Sequence, residues 1–509
     1  MAIQTFQPKC SVVLKKNVGR TAAANGVPVS ERFKGSKKTI DLTPYLGAGG
    51  SVVVSRSTRE PAGMWSVTLT DQINPDASDS LYGLIEPMDV VEIRMAHDPS
   101  VYGAAGMPIM MRGFVSEVRR GSVMGHNGPM RAVTLSGQDY GKILQIMRIE
   151  YLPGTVIGEA LITNFKLFQN YGVTAEINED AAVFIGKVMT DVVNTGGPSH
   201  PGFISQMISS TLSVGSSQSP VQLIGVDAEE GSGVIAPFGA QEFDGGAIYD
   251  LMKYFGDVGA WNELYIEDRV DAPYLVYRPT PFKDASGFPI QNRRPIDEPI
   301  VVSDESLVSI DVARTDVNVV NYYWVNSPRY NQIDGTLLQS SINGRNNPPP
   351  DIFAYPNSAL ALYGVRVMRT DSQQGARADG LPEAAYKAGQ NVSVANLNAK
   401  RAILIANNAD NVVFEQGDLV LRGDERIQHG RYLRLMRGTD DAGAAAGKGS
   451  KSEYYGHKVT HIYSAFRSYF TAVEFDRGTG FIERVQKAAG AGGPYLSEMA
   501  IGGTYAAAS

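Results

Sequence analysis

Two histidines four residues apart, in His457-Lys-Val-Thr-His461, are the nearest the chain comes to a metal-binding spacing. In a zinc hydrolase that spacing occupies one helical turn, with a glutamate directly after the first histidine. Here Lys458 stands in the glutamate's place, and the run alternates as a strand, with Tyr455, His457, Val459, His461 and Tyr463 on one face. At about 3.3 Å of rise per residue the two rings stand roughly 13 Å apart. Ligands of one zinc ion converge to about 2.1 Å from it. The pair reads as two histidines on a half-buried aromatic face, and no metal is assigned.

Other patterns approach reactive motifs and miss. Gly443-Ala-Ala-Ala-Gly-Lys-Gly449 has three residues between its first two glycines where a phosphate loop needs four. It also has Gly449 where Ser or Thr would bind magnesium, so it reads as a hairpin tip. Gly197-Pro-Ser199-His-Pro201 is the nearest match to a nucleophile elbow, with proline in the last glycine's place. The acidic groups Asp227/Glu229/Glu230 and Asp424/Glu425 fall in turn-like stretches and read as solvated, which is no basis for a glycosidase pair. Six histidines in 509 residues leave few positions for imidazole acid–base chemistry. No residue is assigned to catalysis, to a cofactor or to a metal. Such a chain binds or builds.

Composition sets the frame for these side chains. A length of 509 residues suggests about three domains at about 150 residues each. With 43% apolar and 19% charged residues, a disordered charged tail is excluded. A net charge of −7 argues against sequence-specific nucleic-acid binding, which needs clustered Lys and Arg. The single cysteine, Cys10, excludes a disulfide framework and a cysteine zinc ribbon. The 54 glycines, 27 prolines and 24 tyrosines suit β-structure rich in turns. The first residues lack the basic-then-apolar pattern of an export leader. No apolar run approaches the ~20 residues of a membrane span. The expectation is a soluble protein, without membrane insertion, made in a reducing cytoplasm.

A β-branched run at Ser51–Ser55, period-2 alternation at Trp65–Thr70, Val90–Met95 and Arg131–Ser136, and a poorly alternating run at Met110–Val118 read as strands. Within Met110–Val118, Gly113 suggests a bulge. Helical spacing predicts helices over Thr155–Asn170, Gly246–Phe255 and Val392–Asn408, and further strands fall at Trp261–Glu267 and Tyr274–Arg278. Strands return at Asp418–Arg422, Arg431–Met436, Tyr454–Tyr463 and Tyr469–Phe475. Residues 15–38, with Lys15, Lys16, Arg20, Arg32, Lys34, Lys37 and Lys38, read as a mobile basic arm without the aromatics that stack on bases.

Among these segments are Leu42-Thr-Pro-Tyr-Leu46, Ser55-Arg-Ser-Thr-Arg-Glu-Pro-Ala-Gly63, Arg112-Gly-Phe-Val115 and Leu135-Ser-Gly-Gln-Asp-Tyr-Gly141. Further along come Tyr274-Leu-Val-Tyr-Arg-Pro-Thr-Pro281, Arg314-Thr-Asp-Val-Asn-Val-Val-Asn321 and Leu421-Arg-Gly-Asp-Glu-Arg-Ile-Gln-His-Gly430. As a set these motifs resemble the baseplate hub proteins of contractile-tailed bacteriophages. The likeness runs from about residue 39 to 480. It departs at the basic arm, the 326–390 region and the Ala/Gly tail.

The resemblance implies a β-rich α+β multidomain fold with two tail-tube-like antiparallel β-barrels, α+β segments between them and an inserted loop and helix region. The corresponding division is an N-terminal arm (1–38), a first barrel (39–146), an α+β domain (147–300) and a second barrel (301–325 and 412–482). The last is interrupted by the insertion (326–411) and followed by an Ala/Gly-rich tail (483–509). The implied role is non-enzymatic. A homotrimer would present six similar barrels, joining a tail tube or tube-initiator protein to a central spike. A tape measure protein would lie in the lumen and baseplate wedge proteins around the ring. The implied place is the tail baseplate of the virion, assembled in the host cytoplasm. Two other readings compete: a receptor- or carbohydrate-binding tail module, and a tail-associated cell-wall hydrolase. Gly63, Gly113, Gly137 and Gly423 read as positions of turns or close backbone approach.

Overall fold

The computed structural model describes residues 7–17, 39–47, 49–74, 79–125, 128–150, 180–197, 200–213, 219–231, 233–235, 245–326, 362–375, 383–437 and 450–480. The basic stretch 18–38, the Thr155–Asn170 helix, Ser199, the Gly443–Gly449 loop and the 483–509 tail lie outside them, as does most of 326–390.

An N-terminal lobe contains β1 (Lys9–Lys15), β2 (Thr39–Asp41), β3 (Ser51–Ser57), β4 (Met64–Thr70), β5 (Val90–Ala96), β6 (Ile109–Gly125) and β7 (Gly128–Asp139). A middle segment carries the helices α1 (Ala181–Val188), α2 (Phe203–Ser213) and α3 (Ile248–Phe255) and the hairpin β8 (Asn262–Asp268) and β9 (Pro273–Pro279). A C-terminal lobe is built from β10 (Ile300–Ser303), β11 (Leu307–Ala313), β12 (Glu415–Arg422), β13 (Arg431–Arg437), β14 (Ser450–Ser464) and β15 (Ser468–Gly478). The long helix α4 (Glu383–Asn408) precedes β12.

The strands of the two lobes form one sheet of thirteen, in the order β11-β12-β15-β14-β3-β4-β7-β6-β5-β1-β2, with β13 on β14 and β10 on β13. All these pairs are antiparallel except β10 with β13. The β-rich architecture is as expected, with a large, mainly antiparallel sheet, and no closed barrel is detected among the described residues. The two lobes are joined by β14, whose fifteen residues serve both. Its first half, Ser450–Gly456, pairs with β13, and its second half, Lys458–Ser464, pairs with β3. One edge of β3 thus pairs with β4 of its own lobe and the other with β14.

Each lobe keeps its own core. Alternation on β3, β4 and β7 buries Val52, Val54, Trp65, Val67, Val133 and Leu135 in the first. Leu419, Leu421, Leu433, Tyr454, Val473 and Phe475 fill the second. The middle segment packs α1 and α3 against the apolar face of β8 and β9, with Phe184, Leu251, Phe255, Leu264 and Leu275 buried together. A smaller cluster seats α4, through Leu397 and Leu404, on Trp261 and Tyr323.

Two local expectations change. The strand β1 lies inside the stretch read as an arm. Lys15 binds Glu92 at 3.0 Å, and Lys16 is buried, donating to Asp89 Oδ2 at 2.5 Å and to the Leu84 carbonyl at 2.6 Å. The register of β6 shifts at Met110 against β5 and between Val115 and Glu117 against β7, not at Gly113. Gly113 is small for a different reason: a Cβ there would lie 2.3 Å from the Gln138 carbonyl and 2.8 Å from the Trp65 indole nitrogen.

Candidate functional site

The middle hairpin joins both lobes through side chains, and its charges mark the place where the three parts of the chain meet. Both strands are almost wholly buried, yet they carry Glu263, Asp268 and Arg278. Charged side chains buried to this degree persist only with partners.

Asp268, at the end of β8, faces the N-terminal lobe. It is ion-paired with Arg56 of β3 and accepts the backbone N–H of Arg112 on β6 at 2.7 Å. The Arg112 guanidinium in turn donates to the carbonyls of Arg269 and Val270, both at 2.8 Å, so the hairpin turn is held as well as its strand. Behind Arg56 lies Asp139, whose oxygens accept the N–H groups of Gly63 at 2.9 Å and Gly141 at 2.8 Å. Burial pushes the Asp139 carboxyl up to about 7, with Arg56 and the two N–H donors opposing it. A Cβ on Gly63 would come within 2.8 Å of both Arg56 and Asp139, so the missing side chain makes room for this network.

Glu263 and Arg278 face the C-terminal lobe. They pair with each other at 3.0 Å. Glu263 also accepts the hydroxyl of Tyr455 on β14, and Arg278 donates to the Gly430 carbonyl. Burial raises the Glu263 carboxyl above its ordinary range. Tyr265 stacks edge-on against His429 at 4.9 Å, and burial holds that imidazole far below its ordinary value. The hairpin thus clips to β3 and β6 on one side and to β14 and the 424–430 turn on the other.

A cleft of about 980 Å3 opens between this hairpin, α4 and the C-terminal lobe. Asn407 Oδ1, His457 Nδ1, Asp476 Oδ1 and Arg477 Nε, all in residues lining it, have no hydrogen-bond partner among the described residues. The guanidinium of Arg477 lies between the rings of Phe282 and Phe414, 4.6 and 4.4 Å from their centroids. Its other nitrogens donate to the carbonyls of Asn407 and Lys283. These groups can bind and position; they do not form a nucleophile–base pair. No group of three or more His, Cys, Asp or Glu among the described residues is placed to share a metal ion.

The two histidines of the sequence motif do not share a face. The register of β14 against β15 shifts between Gly456 and Lys458, which makes His457 the extra residue of a bulge. His457 lines the large cleft. His461 is buried on the other side of the bulge, with Nε2 donating to the Ile427 carbonyl at 3.1 Å. Its Nδ1 faces the hydroxyls of Tyr469 at 3.0 Å and Thr471 at 3.1 Å. Because a carbonyl only accepts, the proton sits on Nε2 and the ring is neutral. Burial brings its pKa down to about 4.

The acidic groups read as solvated are largely engaged. Asp227 lies on a strand, Gly225–Ala228, and is held by Arg269 and by Arg294 at 3.1 and 3.2 Å. Against the upward pull of burial, these hydrogen bonds keep its carboxyl below the usual range. Asp424 binds Arg426. Glu425 is buried, accepting the Tyr102 hydroxyl at 2.5 Å and the His97 N–H at 2.8 Å, a link from the C-terminal lobe to the N-terminal one.

Sequence reasoning passed over Arg56, Arg112, Glu263, Asp268 and Arg278. One signal was present: each interrupts a strand pattern at a place where alternation or continuous burial calls for an apolar side chain, as in Met110-Met-Arg-Gly-Phe-Val115 and Trp261-Asn-Glu-Leu-Tyr-Ile266.

No protein-family model matches the chain, and no curated protein matches it in sequence. Solved structures align with it at low identity. A tail protein from Neisseria meningitidis is 9% identical, with 92% of this chain and 96% of that one covered and a TM-score of 0.42. The 43 kDa tail protein of prophage MuSo2 from Shewanella oneidensis is 11% identical, covering 92% and 98%, with a TM-score of 0.41. A prophage tail protein from Listeria monocytogenes is 7% identical, covering 91% and 94%, with a TM-score of 0.39.

Proposed function

We propose that the chain is a structural subunit of a contractile phage tail: the baseplate hub, a homotrimeric ring that joins the tail tube above to the central spike below. One observation carries this reading most directly. Two β-lobes with separate cores are fused through β3 and β14 into one continuous sheet. A subunit that contributes two similar modules side by side lets three copies meet a sixfold tube, and lets the same ring meet a threefold spike. The sequence motifs between residues 39 and 480 point the same way.

The junction supports a mechanical role. Buried ion pairs add little net stability over apolar packing, but they are strongly orientation-dependent. Placing them where the hairpin meets both lobes fixes the relative setting of the two modules. A part that transmits load between tube and spike needs that fixed setting more than it needs a reactive site. The domain division given by sequence is part of the same proposal, except that β1 (Lys9–Lys15) belongs to the first lobe.

Cryo-electron microscopy of the intact tail tests the reading. Three copies of the chain between the tube and the spike are expected. A different copy number, or a position on a fibre or at the outer rim, overturns it.

A further inference from the structure

The strand β11 ends the sheet. It pairs with β12 on one side, and among the described residues no strand pairs with the other. Leu307 and Ile310 pack on the C-terminal core, but Val308, the extra residue of a register shift, is 55% and Val312 41% exposed, with Ser309, Asp311 and Ala313 exposed between and beside them. The opposite end of the sheet is treated differently. There β2 has only three residues, and the Val12 carbonyl and N–H beyond it are taken by Leu42 and Thr43. A short, capped edge resists pairing, whereas a seven-residue edge with bare apolar side chains invites it.

The edge is acidic. Asp311 stands directly across from Asp418, which stands across from Glu474. Like charges in directly opposed positions destabilise a sheet. Glu474 is balanced by Lys458 at 2.7 Å, but Asp311 and Asp418 have no cationic partner among the described residues. Asp304 and Glu305, also exposed, precede the strand.

The complementary surface lies on the N-terminal lobe. β5 pairs with β6 only as far as Phe114, and β4 pairs with β7 only from Ala132 onward. Beyond Phe114 one edge of β6 is unpaired among the described residues, and beyond Gly121 and Ala132 the two strands continue alone as a two-stranded ribbon, Ser122–Gly125 against Gly128–Arg131. Ribbons without a third strand are marginal in water. This one carries Val123 and Met124 at 68% and 80% exposure. It also carries exposed Arg131, and just before it on β6 stand exposed Arg119, ion-paired with Glu117 at 2.9 Å, and Arg120, ion-paired with Asp71 at 2.8 Å, so that Arg131 is the cation left over in this stretch.

Resting on the ring reading above, we propose that the basic ribbon of one copy pairs with the acidic β11 edge of the next copy. The contact is heterologous, with different surfaces of the two copies, so its repetition generates a ring. It extends the sheet by main-chain hydrogen bonds, covers Val308 and Val312 with the ribbon's apolar tip, and places arginines beside the opposed Asp311 and Asp418.

Charge reversal in the full-length chain tests this, read by analytical ultracentrifugation and native mass spectrometry, with thermal melting to confirm that each variant folds. Asp311→Lys with Asp418→Lys alters the edge, and Arg119→Glu with Arg131→Glu alters the ribbon. Either pair alone should weaken assembly by about tenfold or more, since juxtaposed like charges are strongly disfavoured in an interface. All four changes in one chain restore complementarity and should recover assembly. If the wild type assembles and both single-surface variants assemble equally well, this contact is overturned while the ring reading stands. If the four changes together fail to recover assembly in a folded chain, the contact is overturned too. If the wild type stays monomeric even with its tube and spike partners, both are overturned.

Discussion

The carboxylate of Asp268 accepts the backbone N–H of Arg112 at 2.7 Å, and through that bond the middle hairpin is fixed to the N-terminal lobe. The same carboxylate is paired with the Arg56 side chain. Removing it leaves the Arg56 guanidinium without its main counter-charge and the Arg112 N–H without an acceptor, in a site closed to water. Asp268→Ala is expected to cost about 3–5 kcal/mol, the range for breaking a buried pair by removing one partner. Urea unfolding of the purified chain measures it. A loss below about 1 kcal/mol would mean the junction is wetter than its burial implies.

Acid sensitivity follows from His461. Its pKa is near 6.5 in the unfolded chain and about 4 when folded, because burial penalises the imidazolium. The folded state therefore binds fewer protons than the unfolded one between these values. Its stabilising contribution is fully present above about 6.5 and is lost as the pH falls toward 4. At about 1.4 kcal/mol per pH unit, the whole passage carries roughly 3 kcal/mol. Asp139, raised to about 7, acts in the opposite sense, since its contribution is lost as the pH rises from about 4 to 7. The wild-type profile is thus a sum of opposed slopes, and a variant is needed to separate them. His461→Gln removes the titration; its melting temperature should fall less steeply than that of the wild type from pH 7 to pH 4.

Much of the strand pattern was legible because it is local. Trp65–Thr70 shows its alternation without help, and the helix over residues 246–255 needs only its own apolar stripe. What escaped depends on partners distant in sequence. The alternation of Cys10, Val12 and Leu14 marks β1 as a strand, but the lysines beside it read as an arm until Asp89 and Glu92 are brought opposite. The seam between β3 and β14 joins residues some four hundred positions apart, and nothing local to either strand announces it. The bulge at His457 turns on one register step between two strands, which is below what alternation can resolve. Glu263 and Asp268 were overlooked as ordinary polar positions because their arginines lie on other elements.

Cys10 gives a direct readout of the N-terminal lobe. It is buried in β1, and burial pushes its thiol up to about 12. Only the thiolate reacts appreciably with alkylating reagents, so the native chain should resist iodoacetamide at pH 8 and become labelled once unfolded. As the only cysteine in the chain, it reports without interference. Rapid labelling of the folded protein would show that β1 detaches from β5.

Gly423 is held to glycine by one ring. A Cβ there would lie 2.0 Å from Tyr469, and Tyr469 cannot move aside freely because its hydroxyl is engaged with His461 Nδ1 at 3.0 Å. The Gly423 N–H also donates to the Tyr469 carbonyl at 2.8 Å, which fixes the backbone on the same side. Its backbone does not lie in the left-handed region, so alanine meets no dihedral penalty and only the steric one remains. Gly423→Ala should therefore cost about 1–3 kcal/mol, the range for overpacking a close-packed site. The decisive measurement is the cycle with Tyr469→Ala, which removes the obstructing ring. In that background Gly423→Ala should cost less than about 0.5 kcal/mol, because residues in contact are non-additive when one change abolishes the clash made by the other. If the cost were the same in both backgrounds, the constraint would lie in the backbone of the 423–430 turn and not in the ring.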